Sequence, residues 1–155
     1  MPTHAERRVL DYTPAQLYAL VAAIDRYPEF LPWCIAARIT GRSRDDAGRE
    51  VLLADMVIGF KMFRERFTSR VTLEPDTHTI HVAYVTGPMK HMVNRWHFLP
   101  HGEGQCEVDF FVDFEFRSRL LQKTIELLFT EAVKRMVSAF ETRARRLYGP
   151  KIPGA

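Results

Sequence analysis

Six histidines, two cysteines and nineteen carboxylates are the raw material for chemistry in this chain, and their spacing argues against catalysis. His4, His78, His81, His91, His97 and His101 fall mostly in turns or on polar strand faces. That placement suits surface or structural roles better than metal ligation or acid–base work. Cys34 and Cys106 lie far apart and match no metal or redox spacing. Gly59, Gly87, Gly102 and Gly104 stand in no phosphate-loop spacing. Asp109, Asp113 and Glu115 alternate onto one strand face, which reads as a solvated outer face. No acid–base pair emerges. The expectation is a protein that is not an enzyme and uses no metal or cofactor.

Glu65 differs from the other carboxylates. Alternation places it with Phe63 and Phe67 on the apolar face of its strand, where a carboxylate needs a partner or a wet cavity mouth. Two readings stand side by side: a strand-end pairing with an arginine, or a polar handle for a ligand's head group. Aromatic and methionine side chains supply the rest of a candidate binding surface. The stretch DRYPEFLPWC, residues 25–34, sets Tyr27, Phe30 and Trp33 around Pro28 and Pro32. Proline at either place stops a helix from running on smoothly. Phe30, Leu31 and Trp33 are therefore expected to fold back as a gate over a pocket. TGPMKHM, residues 86–92, reads as a second break, with Met89 and Met92 at the same portal.

The elements that must carry these residues follow from periodicity. Residues 4–12 read as a first strand. Thr13, Pro14 and Gln16 then make the cap, first position and capping box of a helix whose apolar positions are Leu17, Leu20, Val21 and Ile24. The proline-broken stretch adds a second short helical piece. Residues 35–116 read as about six strands separated by turns. Their inward faces carry Met56, Ile58 and Phe60, then Phe63, Glu65 and Phe67, then Tyr84, then Trp96, then Phe114. Ser118 caps a long closing helix, about residues 119–147, whose apolar stripe includes Phe129, Val133 and Met136. The fold class is α+β: a curved antiparallel sheet of six or seven strands around a long C-terminal helix, with two short helices after the first strand. A space between sheet and helix is expected.

The totals agree with a globular protein: 155 residues, 46% hydrophobic and 26% charged, with a formal net charge of +3. One domain over residues 1–148 and a flexible tail over 149–155 are expected. The mild basic excess calls for no DNA. Its concentration in Lys134, Arg135, Arg143, Arg145 and Arg146, near the end of the last helix, suits the helix dipole or docking to an anionic partner. No apolar run is long enough to span a membrane, and the first residues lack the apolar stretch of a signal peptide. A cytoplasmic protein is expected, with peripheral contact at the inner face of the plasma membrane.

Four segments carry a resemblance: RYPEFLPWC, VIGFKMFRERFTSRV, GPMKHMVNRWHF and VDFFVDFEFRSRLLQKTIELLFTEAVKRMVSAFETRAR. Together they resemble the coenzyme Q-binding START-domain family, a branch of the polyketide cyclase/dehydrase and lipid-transport superfamily. Its bacterial members are often named for a ribosome-association toxin. The likeness extends over about residues 3–148. It implies a helix-grip fold with a hydrophobic tunnel between sheet and C-terminal helix. It further implies non-enzymatic binding of ubiquinone, or another polyprenyl quinone or lipid, in support of respiratory electron transport. The alternative it carries is binding to the large ribosomal subunit and inhibition of translation. The sequence departs from the family at Met89, where many relatives place a bulky aromatic after Gly-Pro.

Overall fold

Hairpin-linked strands with one apolar face each can satisfy their backbone only as an antiparallel sheet, and that is how the chain folds. The computed structural model describes residues 3–31, 33–60 and 63–149. The side chains of Phe60, Phe63 and residues 128–130 lie outside that description, as do residues 150–155 of the expected tail. The strands are β1 (Thr3–Leu10), β2 (Cys34–Arg44), β3 (Glu50–Phe60), β4 (Phe63–Glu74), β5 (Thr79–Thr86), β6 (Met89–Pro100) and β7 (Cys106–Phe116). They form one seven-stranded sheet in the order β1-β7-β6-β5-β4-β3-β2. Between β1 and β2 come α1 (Pro14–Ala22) and a 3-10 helix (Ile24–Glu29), and α2 (Arg119–Tyr148) closes the chain. This is the helix-grip arrangement.

Local chemistry explains the helix bounds. Thr13 accepts the Gln16 N–H at 3.1 Å, while Gln16 accepts the Thr13 N–H at 2.9 Å, a reciprocal cap. Ser118 Oγ accepts the Leu121 N–H at 3.2 Å at the start of α2. Gly149, at φ +80°, ends the helix by returning its N–H to Arg145 O. The first strand stops at Leu10, two residues earlier than expected. Tyr12 leaves the sheet edge and buries its ring, donating its hydroxyl to Gly149 O at 3.1 Å.

The expected break at residues 86–92 is a tight hairpin instead. Only Gly87 and Pro88 lie between β5 and β6. Gly87 takes φ +146°, and a Cβ there would stand 2.6 Å from Phe67 Cβ, so the close turn requires glycine. A register shift between Met89 and His91 then turns both Met89 and Met92 inward. They are buried wall residues of a strand and form no irregular portal.

α2 would extend roughly 45 Å at ~1.5 Å per residue, enough to cross the whole sheet. It is held at its two ends. Near its start, Gln122 accepts the Phe116 N–H at 2.7 Å, and Leu121 joins Phe67, Met89, Met92, Phe114 and Phe116 in one apolar cluster. Near its end, Phe140 and Ala144 join Leu17, Leu20, Val21 and Ile24 in a second cluster, and Tyr148 donates to Gln16 O at 2.8 Å. Between the two anchors the helix bridges a concave sheet. A straight rod over a curved floor leaves a gap beneath its middle.

The two thiols are buried and unpaired with each other. Burial pushes both Cys34 and Cys106 from 9.0 up to about 11. The folded state thus holds these protons more tightly than the unfolded chain, so stability is full below about pH 9 and is lost as pH rises toward 11. A fall on the order of 2 kcal/mol between pH 7 and pH 10 is expected from ~1.4 kcal/mol per pKa unit and group. Urea melts at both pH values check it. Most of the fall should vanish in a Cys34→Ala/Cys106→Ala chain.

Candidate functional site

The gap beneath α2 is a chamber of about 330 Å³. Its floor comes from the inward faces of β3 to β7 and its roof from α2, with the 3-10 segment closing one side. Sheet residues Met56, Ile58, Phe67, Met89, Trp96 and Phe114 line it, opposite Val133 and Met136 of α2. Leu31 and Trp33 line it from the connecting segment. Met56, Ile58, Phe67, Trp96, Phe114, Val133 and Met136 were placed inward by the strand or helical rhythm, whereas Met89 was expected at a portal and Leu31 and Trp33 at a gate.

Glu65 is the one charged residue in the lining among the described residues. It makes no ion pair among those residues, so of its two readings the pairing with an arginine is not formed there. It sits opposite Ile58 near the β3–β4 turn. Trp33 is tied to the same end, since its carbonyl accepts the Gly59 N–H at 2.8 Å. A carboxylate without an ion partner is costly away from water, so the half-buried Glu65, with Ile58 and Trp33 beside it, marks the wet end of the chamber. The far end is closed by rings. Trp96 lies 4.6 Å from Phe110 and 5.4 Å from Phe140, centroid to centroid.

Two aromatic side chains go elsewhere than expected. Phe30 does not line the chamber. Its ring meets Phe140 edge-on at 5.3 Å and Tyr27 at 5.9 Å, and Arg143 stacks over its outer face at 5.1 Å. The broken helix therefore uses Phe30 to clamp α2 rather than to gate a pocket. Tyr27 does reach the lining, and its hydroxyl donates to Val21 O; burial raises its pKa beyond the ordinary tyrosine range. Tyr84 also falls outside the lining. Its Oη accepts the Met89 N–H at 3.2 Å and braces the β5–β6 turn. The expected lining residues Phe60, Phe63 and Phe129 have side chains outside the described residues.

Sequence reasoning passed over the polar members of the lining, Ser69 and Asn94, and the ring of Phe140. All three sit on faces the periodicity identifies as inward. Ser69 and Asn94 were missed because aromatic and methionine side chains were the selected signal; Phe140 was missed because helical spacing marks it as core without showing that it reaches the chamber. Asn94 donates to Phe111 O at 2.8 Å and accepts from Trp96 Nε1 at 3.0 Å.

The basic end of α2 divides into structural and free cations. Arg143 is nearly covered and pairs with Glu29 at 2.9 Å, while Arg135 pairs with Glu131 at 2.8 Å. Hydrogen bonds from Arg26 and Arg143 hold the Glu29 carboxyl below its usual range. Lys134, Arg145 and Arg146 are exposed and form no ion pair among the described residues. The carboxylates of the outer strand face are partnered: Asp109 with Arg7, Asp113 with the Thr3 hydroxyl and Glu115 with Lys90. Among the described residues no helix is long and apolar enough to cross a membrane, and no group of three metal-ligating side chains converges.

Comparison with known proteins agrees with this geometry. Residues 10–141 match the model of a family described as polyketide cyclase / dehydrase and lipid transport. The ribosome association toxin RatA of Rickettsia prowazekii is 35% identical over 143 residues, 90% of this chain and 94% of the relative. The coenzyme Q-binding protein COQ10 homolog B, mitochondrial, of Xenopus laevis is 33% identical over 150 residues, 94% of this chain and 59% of the relative. The solution structure of an 18 kDa protein from Caulobacter crescentus superposes with a TM-score of 0.81 at 35% identity, covering 97% of this chain and all of that one. A helix-grip sheet over an apolar chamber, and a matched model spanning nearly all of its elements, mean that the chain belongs to the polyketide cyclase/dehydrase and lipid-transport family.

Proposed function

We propose that the chain is a non-catalytic carrier of a hydrophobic, ring-bearing ligand of the ubiquinone class. The chamber is the observation that carries this reading. About 150 Å³ of dry apolar cavity holds one benzene ring, so 330 Å³ admits a substituted ring with a short stretch of branched hydrocarbon. Each carbon buried there contributes about 0.8 kcal/mol. A relative named for coenzyme Q binding supports the choice of ligand. The described lining, with Glu65, Ser69 and Asn94 as its polar side chains besides the Trp and Tyr rings, offers no histidine, lysine or cysteine for acid–base or covalent work. Incubating the purified chain with vesicles containing ubiquinone, re-isolating it and extracting it with solvent should recover about one quinone per chain. Recovery no higher than from an unrelated protein contradicts the reading.

A second reading has its own observation. Lys134, Arg145 and Arg146 form an exposed cationic patch without ion partners among the described residues, and relatives of similar identity are named for ribosome association. Reversal of these three to Glu is expected to abolish salt-sensitive co-sedimentation with ribosomal subunits while leaving quinone recovery unchanged. Arg143 should be spared in such a variant, because it serves the fold through Glu29 and Phe30. Undiminished sedimentation of the reversed chain would leave the patch as a solvated face.

A further inference from the structure

Ser69 is a polar group that the fold leaves unsatisfied. It stands on the inward face of β4, in the chamber wall, and is 3% exposed. Its Oγ has no hydrogen-bond partner among the described residues. Cross-strand neighbours are Ala54, which offers none, and Tyr84, whose hydroxyl already takes the Met89 N–H. A buried hydroxyl without a partner destabilises a fold, and alanine would occupy nearly the same space. No protein group among the described residues accounts for a serine at this position. A ligand atom in the chamber would supply the reason.

Position adds direction. Ser69 stands four positions beyond Glu65 along β4, so it lies roughly 13 Å in from the wet end at ~3.3 Å per residue. Asn94 enters the same chamber from β6, with β5 between; it is level with Val71, two residues beyond Ser69, and so roughly 12 Å away by strand spacing and rise. Its amide gives one N–H to Phe111 O and keeps a second. Both groups can thus present a donor to an acceptor oxygen, and neither is charged. A charged head group would be stranded there, whereas a carbonyl-bearing neutral ring fits.

We propose that Ser69, seconded by Asn94, is the deep polar anchor of the chamber, and that a quinone-type ligand binds ring first, with its carbonyl oxygens on these residues and its tail toward Trp33 and Glu65. This rests on the ubiquinone-class reading and decides which end of the molecule is inside. The hydroxyl reorients by rotation about one side-chain bond, so a buried Oγ can turn to meet an arriving oxygen.

The test compares two probes on two chains. A benzoquinone with one isoprene unit and an aromatic hydrocarbon of similar size are each titrated against the unaltered chain and Ser69→Ala. The quinone should bind Ser69→Ala about three- to tenfold more weakly, while the hydrocarbon binds both chains alike. The melting temperature of Ser69→Ala should be unchanged or higher. Equal quinone affinity for the two chains overturns the anchor alone. A lower melting temperature also overturns it, since the hydroxyl would then be serving the fold. Failure of the unaltered chain to bind the quinone overturns the ligand class and the anchor together.

Discussion

Truncating Phe140 to alanine should lower stability by about 3–5 kcal/mol, the usual cost for a buried aromatic cut to its β-carbon. Phe140 is the hub where three elements meet. It touches Phe30 and Tyr27 of the proline-broken segment and Trp96 of β6, all within 6 Å between ring centroids. Its removal takes away the contact by which the C-terminal half of α2 closes one end of the chamber. Edge-on ring pairs add about 0.5–1.5 kcal/mol each beyond area burial. For a domain of this size the melting temperature should fall by roughly 10 °C or more, as read by thermal circular dichroism. A shift of only a degree or two would mean that α2 is held mainly by its hydrogen-bonded ends.

Filling the chamber should separate binding from folding. Ala54 on β3 and Val133 on α2 line it from floor and roof. Two phenyl rings, each needing about the 150 Å³ that holds benzene, would take up most of the 330 Å³. The Ala54→Phe/Val133→Phe chain is therefore expected to lose quinone binding by at least a hundredfold. Its melting temperature should hold or rise, because the new rings enter empty space. In a solid core the same pair of enlargements would cost about 1–3 kcal/mol each. Affinity measured by titration calorimetry, beside a thermal melt on the same sample, reads both effects.

These expectations rest on a fold that was largely legible before any coordinates. Alternation alone assigned Phe114 to the inner face of β7 and Asp109, Asp113 and Glu115 to the outer one, because a pleated strand has only two faces. Caps at Thr13 and Ser118 located both helices for the same local reason. Legibility ended where direction depends on distant neighbours. Phe30 lies on a bent segment, and only Phe140, more than a hundred residues away, decides that its ring turns toward α2. Tyr84 obeys its strand's alternation, yet its hydroxyl is claimed by Met89 across a turn that was read as an open break. Gly-Pro stops a helix in any context. In a sheet, the glycine's freedom at φ +146° makes it a sharp corner instead, and that depends on Phe67 lying beneath it. Ser69 was legible by face and illegible by role, because a missing hydrogen-bond partner is visible only in three dimensions.

Tryptophan fluorescence tests the central claim most directly. The chain has two tryptophans, and both Trp33 and Trp96 line the chamber, one toward its wet end and one in the aromatic wall. A quinone held between them should quench both. Titration with a benzoquinone carrying one isoprene unit is expected to give saturable quenching that ends at one ligand per chain, and none that saturates in Ala54→Phe/Val133→Phe. Quenching that rises linearly without saturation, and equally in both chains, would show only random collisions and contradict a ligand chamber beneath α2.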